Sequence, residues 1–219
     1  MKIKDIEIYW LGHAGFKIII NNKIIFIDPY KIKNKKDKAD YILITHSHYD
    51  HLSIDDLKKI IKDGTTIIAP PDCQSSLMKL EAKLNLKVSM PKANFDFYDF
   101  SLECIEAYNI NKHFHPRIHD WVGYIIKTKE IYIYHAGDTD VIPEQDILKK
   151  YAKKLIMLLP VGGVYTMNWK EAVELAKRIN PYLVIPMHYA KIVGNKEDAL
   201  NFIRELENNK IKAVMLDEE

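Results

Sequence analysis

The stretch "YILITHSHYDHLS", residues 41–53, governs how the rest of the chain is read. It begins as an apolar run, Tyr41 to Thr45, of the kind expected for a strand covered on both faces. It then places His46, His48, Asp50 and His51 within six positions. Polar groups of this kind are costly at the end of a buried strand unless something binds them. His46 and His48 stand two apart in a tight turn, so both imidazoles can face one metal ion. Asp50 and His51 extend from the turn toward a second. Neutral imidazole and carboxylate suit zinc, iron or manganese. The alternative, a solvated polar loop, does not explain the strand before the turn or the helix after it. That helix is expected from Ser53, with "SIDD" as a capping box in which Asp56 reaches back, and it should stop at Gly64.

Working outward, "IEIYWL", "GFKIII" and "KIIFIDP" read as a meander of strands separated by Gly12 and the Asn21–Asn22 pair. "TTIIAP" is a further strand and "DCQSSLMKLEAKLN" a second helix. After Pro91 the pattern partly repeats. "FDFYDFSLECIEAYNI", "WVGYIIKT" and "EIYIYHAGDT" read as strands, followed by a helix near 143–152 and the strand "KLIMLLPV". A helix opened by an Asn168–Glu171 capping box, the strand "YLVIPMH", a helix from about Asn195 to Asn208 and the closing strand "KAVML" complete the chain. Strands first, then strands alternating with helices, in two halves, predict an α+β fold: two mixed sheets packed together with helices outside, a four-layer αββα sandwich. With 219 residues and 47% hydrophobic content, residues 1–219 are expected to form a single domain.

On this frame Asp28, His46, Asp138 and His188 each fall just past an apolar strand, in "FIDP", "ILITH", "YHAGDT" and "VIPMH". Four such strand ends can share one edge of a sandwich, where rigid elements hold side chains from distant parts of the sequence. At these residues the chain resembles the metallo-β-lactamase fold hydrolases. "THSHYDH" is similar to their metal-binding signature and "YHAGDT" to their bridging-aspartate motif. "WLGHAGF", "IDP", "LLPVGGVYTM" and "IPMHY" resemble the lactonase-like and phospholipase-D-like branch that includes ascorbate-6-phosphate lactonase. The resemblance implies His46 and His48 as first-site ligands, Asp50 and His51 as second-site ligands, Asp138 as the carboxylate shared by both ions, and His188 as the last second-site ligand. In the phospholipase-type relatives a further first-site histidine precedes the strand "WVGYII"; here Asn109 stands at that place. The candidates for the missing donor are His115, favoured because Pro116 holds its backbone extended, and then His113, Asn109 or water alone, His119 being placed far along toward the "WVGYII" strand.

Two divalent ions, zinc in the first instance and manganese as the alternative, would hold a bridging hydroxide that attacks the substrate. Asp50 would orient that hydroxide or relay its proton, and a histidine of the 113–119 segment would protonate the leaving group, which makes Asp50 and His115 the candidate catalytic residues. His13 in "GHAG", Asp28, and His135 before "AGDT" are candidates for supporting positions around the ligands, with structural roles as the competing reading. Lys112 and Arg117 in "NKHFHPRIHD" suggest an anionic small-molecule substrate gripped by Arg117; Tyr165, after "PVGG", is a candidate pocket residue.

Composition narrows the partners. Thirty-two basic against 30 acidic residues leave a net charge of +2, which is not the field of a general nucleic-acid binder, although local basic patches such as "KIKNKKDK" (31–38) remain to be judged. Nucleic acid is therefore not the expected partner. Cys73 and Cys104 match neither a disulfide framework nor a cysteine metal site. No apolar run reaches the ~18 residues of a membrane span, and the first residues lack a signal-peptide core. A cytoplasmic protein, free of the membrane and able to form homo-oligomers, is the expectation. A hydrolase of a small anionic ester, lactone or phosphodiester is the leading function. A nuclease on the same fold, or a non-catalytic or redox metal protein, are the alternatives.

Overall fold

Strands β1 (Lys2–Ile3), β2 (Ile6–Gly12), β3 (Gly15–Ile20) and β4 (Lys23–Ile27) form an antiparallel meander, and β5 (Tyr41–Leu43), β6 (Thr66–Ala69) and β7 (Asn85–Val88) continue it in parallel, giving a mixed seven-stranded sheet in sequence order. The β3–β4 turn is made by Asn21 and Asn22, with φ of 47° and 63°, the left-handed pair that a tight hairpin requires. The computed structural model describes residues 1–33 and 36–219 and gathers them in two compact units, residues 1–90 with 216–219, and residues 91–215. Of the lysine-rich run 31–38, Asn34 and Lys35 lie outside the described residues.

In the first unit, helix α1 (Ile54–Ile60) crosses from β5 to β6 and lays Leu57 and Ile60 on a core that includes Ile42, Ile44 and Ile67. Burying each such side chain is worth about 1.5–3 kcal/mol. Ser53 caps the helix by accepting from the Asp56 N–H. The expected capping box is only half made. The Asp56 carboxylate accepts from the Ser53 hydroxyl at 2.7 Å and from the backbone N–H groups of Lys31 and Ile32 at 2.7 and 3.2 Å, so it pins the loop after β4. The second expected helix shrinks to a 3₁₀ turn (Pro71–Cys73) and α2 (Gln74–Leu77). Leu77, Leu80 and Leu84 of that stretch still pack on the core. Residues 85–88 instead satisfy the open side of β6, and this tertiary pairing overrides local pattern.

The second unit holds a six-stranded mixed sheet, order β13-β12-β11-β10-β9-β8. Strands β8 (Asn94–Asp96), β9 (Ser101–Glu106), β10 (Val122–Lys127) and β11 (Tyr132–His135) are antiparallel; β12 (Leu155–Pro160) and β13 (Leu183–Met187) add on in parallel. The long strand expected over 95–110 is broken into the β8–β9 hairpin, where the Phe97 N–H bonds the Phe100 carbonyl and the two rings pack 4.9 Å apart. The helix expected near 143–152 is a 3₁₀ segment, Pro143–Lys154. Helix α3 (Trp169–Ile179) opens with the expected Asn168–Glu171 capping box, buries Val173, Leu175, Ala176 and Ile179, and ends on Asn180 in left-handed conformation. Helix α4 (Lys196–Asn208) carries its own box from Asn195 to Asp198 and buries Phe202 and Leu206. The closing strand is not formed; an isolated bridge joins Ala213 to Val184.

Both units thus run an antiparallel meander into parallel strands with helical crossovers. The fold is the α+β class expected, with two mixed sheets and helices. Among the described residues no helix is long and apolar enough to cross a membrane.

Candidate metal centre

The polar groups of the first unit gather where β2, β4 and β5 end. Asp28, directly after β4, is fully buried and has a φ of 43°; His13, in the β2–β3 turn, is fully buried at φ 53°. Non-glycine residues held in this region cost roughly 1–3 kcal/mol each and concentrate at functional sites. Beyond β5 the chain turns sharply, with the N–H groups of His51 and Leu52 both bonding the His48 carbonyl.

Asp28 organises the rings on this turn. Its Oδ1 accepts from the Thr45 N–H at 2.8 Å, and its Oδ2 accepts from the Thr45 hydroxyl at 2.6 Å and faces His51 Nδ1 at 2.8 Å. Since the Thr45 hydroxyl donates to Asp28, its oxygen is left to accept from His46 Nδ1, 3.0 Å away. The same carboxylate therefore fixes the tautomer of His51 directly and of His46 through Thr45, and in both rings Nε2 keeps its lone pair. His46 Nε2 stands 3.1 Å from His48 Nδ1, so two nitrogens of the histidine motif converge on one point. Asp50 Oδ2 lies 2.9 Å from His13 Nε2 and 3.6 Å from His51 Nε2, with all three side chains able to offer a donor atom to one ion.

In the second unit Asp138 follows β11 through a turn in which the Gly137 N–H donates to Nδ1 of the buried His135 at 3.2 Å. One oxygen of Asp138 takes two imidazoles: Oδ2 is 3.3 Å from His115 Nε2 and 3.1 Å from His188 Nε2. His188 follows β13 with φ 57°, and a Cβ placed on Gly162 would sit 2.3 Å from its carbonyl oxygen, so only glycine lets the two segments approach. His115 is braced from behind. Its Nδ1 lies 3.0 Å from the Tyr165 carbonyl, which also accepts from Asn109 Nδ2 at 2.7 Å, and the Asn109 N–H bonds the His115 carbonyl at 2.8 Å. Asn109 Nδ2 also stands 3.1 Å from His115 Nδ1, so the carbonyl and the amide together hold this edge of the ring while Nε2 faces Asp138.

Of the four candidates for the remaining donor, His115 is the one whose ring nitrogen stands beside Asp138. Asn109 serves it as a brace, His119 stacks on Trp121 at 4.7 Å, and His113 is exposed. Arg117 is exposed and engaged elsewhere: its guanidinium pairs with Glu144 at 2.7 Å and Glu106 at 3.7 Å and lies over the Tyr108 ring. Lys112 is paired with Asp140. Tyr165 contributes its carbonyl, while its ring packs edge-on against Phe114. The braces Thr45 and the Tyr165 carbonyl are absent from the sequence reading; for Thr45 the signal was available, a hydroxyl next to His46, but a backbone carbonyl leaves none.

Within each unit the donors suit a divalent ion: in the first, the His46, His48 and His51 imidazoles with the Asp50 carboxylate, and in the second, the His115 and His188 imidazoles with the Asp138 carboxylate. Comparison with known proteins points to a metal-dependent hydrolase. A family model described as a beta-lactamase superfamily domain matches residues 7–188. A metal-dependent hydrolase of Caldivirga maquilingensis is 31% identical over 204 residues, covering 88% of this chain and 86% of that protein. One of Thermoplasma volcanium is 32% identical over 205 residues and covers 90% of each. The crystal structure of a protein from Parabacteroides distasonis, described as a metal-dependent hydrolase, superposes with a TM-score of 0.84 at 29% identity and covers 98% of this chain and 94% of that one.

Proposed function

The chain belongs to the beta-lactamase superfamily as a metal-dependent hydrolase, and from that premise we propose that it uses a dinuclear site on a small anionic ester, lactone or phosphodiester. As the family resemblance implies, His46, His48 and His115 would be the donors for one ion and Asp50, His51 and His188 for the other, with Asp138 available to both. The observation that carries the reading is the treatment of two rings: His46 and His51 each have Nδ1 turned to an oxygen in the Thr45–Asp28 network, which leaves Nε2 for a ligand bond. Divalent ions held by these donors supply an activated water and a Lewis acid for the scissile carbonyl or phosphoryl oxygen. Asp50, held at Oδ2 by the buried His13, orients that water and takes up its proton. The left-handed backbones of His13, Asp28 and His188 keep these groups in place before substrate arrives.

Elemental analysis of metal-loaded protein is expected to give two ions per chain; one or fewer would refute the dinuclear site. A panel of lactones, phosphodiesters and phosphomonoesters, assayed with and without chelator, should show one class turned over and that turnover lost on chelation. Asp138→Ala should weaken both ions together.

A further inference from the structure

Two cavities of the second unit, neither formed by the metal donors, share the ring of Tyr132. The first, of about 330 Å³, has Tyr132 and Tyr151 among Lys149, Lys150, Lys153 and Lys154. The second, of about 400 Å³, sets Phe97 and Tyr98 beside Lys127 and Lys129. Six lysines thus line the pair, against one carboxylate, Asp99. The buried Glu103 is taken up by Lys127, Lys150 and the Tyr151 hydroxyl, and Lys149 pairs with Asp146 at 3.0 Å, which leaves Lys129, Lys153 and Lys154 as the cations of the surface. Among the described residues no carboxylate pairs with Lys129, Lys153 or Lys154, and Lys154 reaches across to the Lys129 carbonyl at 3.2 Å, which joins the two halves of the surface.

A run of lysines alone would be a solvated face. The aromatic residues argue otherwise. Tyr98, at the tip of the β8–β9 hairpin, is fully exposed (102%), so its ring gains nothing from burial. Tyr132 and Tyr151 pack edge-on at 5.0 Å within the lysine cluster. Aromatic rings set among cations, repeated in two adjoining compartments, match a ligand that repeats a flat ring and a phosphate. The balanced charge of the whole chain does not oppose this, since counterion release is set by the phosphates contacted locally.

We propose that this lysine–tyrosine surface binds a short single-stranded nucleic acid, with bases stacked on Tyr98 and Tyr132 and phosphates neutralised by the lysines around them. The site is independent of the metal centre, so its test is run in chelator. Fluorescence anisotropy of a labelled eight-residue oligouridylate with the full chain should show binding at 50 mM salt, with log K falling against log salt at a slope of about −2 if the three lysines not paired with a carboxylate each neutralise one phosphate. Tyr98→Ala should weaken binding about tenfold and the K129E/K153E double variant more, all three positions being exposed and their loss harmless to folding. Metal content after loading should stay that of the parent protein. No binding at 50 mM salt, or binding that either variant leaves unchanged, overturns the proposal. So does competition by tripolyphosphate or by uridine monophosphate as effective, mole for mole, as by unlabelled oligouridylate, which would mark a site for phosphate or for a single nucleotide.

Discussion

Asp28 shows how much a single buried carboxylate can determine. It accepts from Thr45 twice and holds His51 directly, and the Thr45 hydroxyl passes its influence to His46. In Asp28→Asn the amide can no longer accept at both ends, so one donor is left facing an N–H. Zinc affinity, measured by competition with a chromophoric chelator, should fall about 10–100-fold. Thr45→Val keeps the shape and the backbone N–H but removes the relay to His46; its loss should be smaller and confined to one ion. Equal losses in the two variants would show that the relay, and not the direct bond to His51, carries the effect. Asp28 was legible in the sequence because it ends a strand in "FIDP"; the Thr45 hydroxyl stands in plain view beside His46, but its part as a relay depends on Asp28 approaching from another strand. The two cysteines illustrate the opposite case, residues made inert by their surroundings. Burial pushes the Cys73 thiol far up and the Cys104 thiol up to about 12. A thiol reagent at pH 8 should therefore label neither cysteine in the native protein and both in denaturant. Fast native labelling of either would contradict the packing described.

At the scale of elements, legibility followed how local the cause was. Helices α3 and α4 were readable because their capping boxes and apolar faces lie within a dozen residues. The α2 region and β7 were misread because strand pairing with β6 is a long-range event that leaves no periodic trace. The 143–154 crossover keeps its helical place but winds as 3₁₀, with Pro143 at its start. The approach of Gly162 to the end of β13 is equally invisible in sequence, and it makes a sharp prediction. Any side chain at position 162 must displace the His188 carbonyl, and Gly194 closes the same space, its own Cβ position lying 2.6 Å from the Gly162 Cα. Gly162→Ala should cost about 1–3 kcal/mol in denaturant unfolding and move His188 with it, so that metal content falls as well. Lowered stability with full metal content would mean that the strain is absorbed away from His188.

For the molecule as a whole, stability against pH follows from where its charges are paired. Burial pushes the Asp56 carboxyl up, but Lys59, the Ser53 hydroxyl and the Lys31 N–H outweigh it and hold the group below its ordinary value. Glu103 is likewise raised by burial and lowered further by Tyr151 and Lys127, ending below its usual range. A carboxyl depressed in the folded state adds stability above its unfolded pKa and loses that contribution as pH falls through the folded one, so both contributions should begin to fall near pH 4 and be lost below the depressed folded values. Lys17 behaves in reverse. Burial lowers it, yet Asp37 at 2.8 Å and Glu219 at 2.5 Å raise it overall, so its contribution is complete below the ordinary lysine value and is lost as pH rises beyond about 10.5. Metal ligands also titrate in acid, so the useful quantity is the difference between variant and parent, measured by urea unfolding in chelator at each pH. Glu103→Gln and Asp56→Asn should be destabilised at pH 7, with the gap closing as pH approaches 3. Lys17→Met should be destabilised across the neutral range and converge on the parent only above pH 10.5. A Glu103→Gln gap that persists unchanged to pH 3 would show that the carboxyl acts there through shape and not through charge.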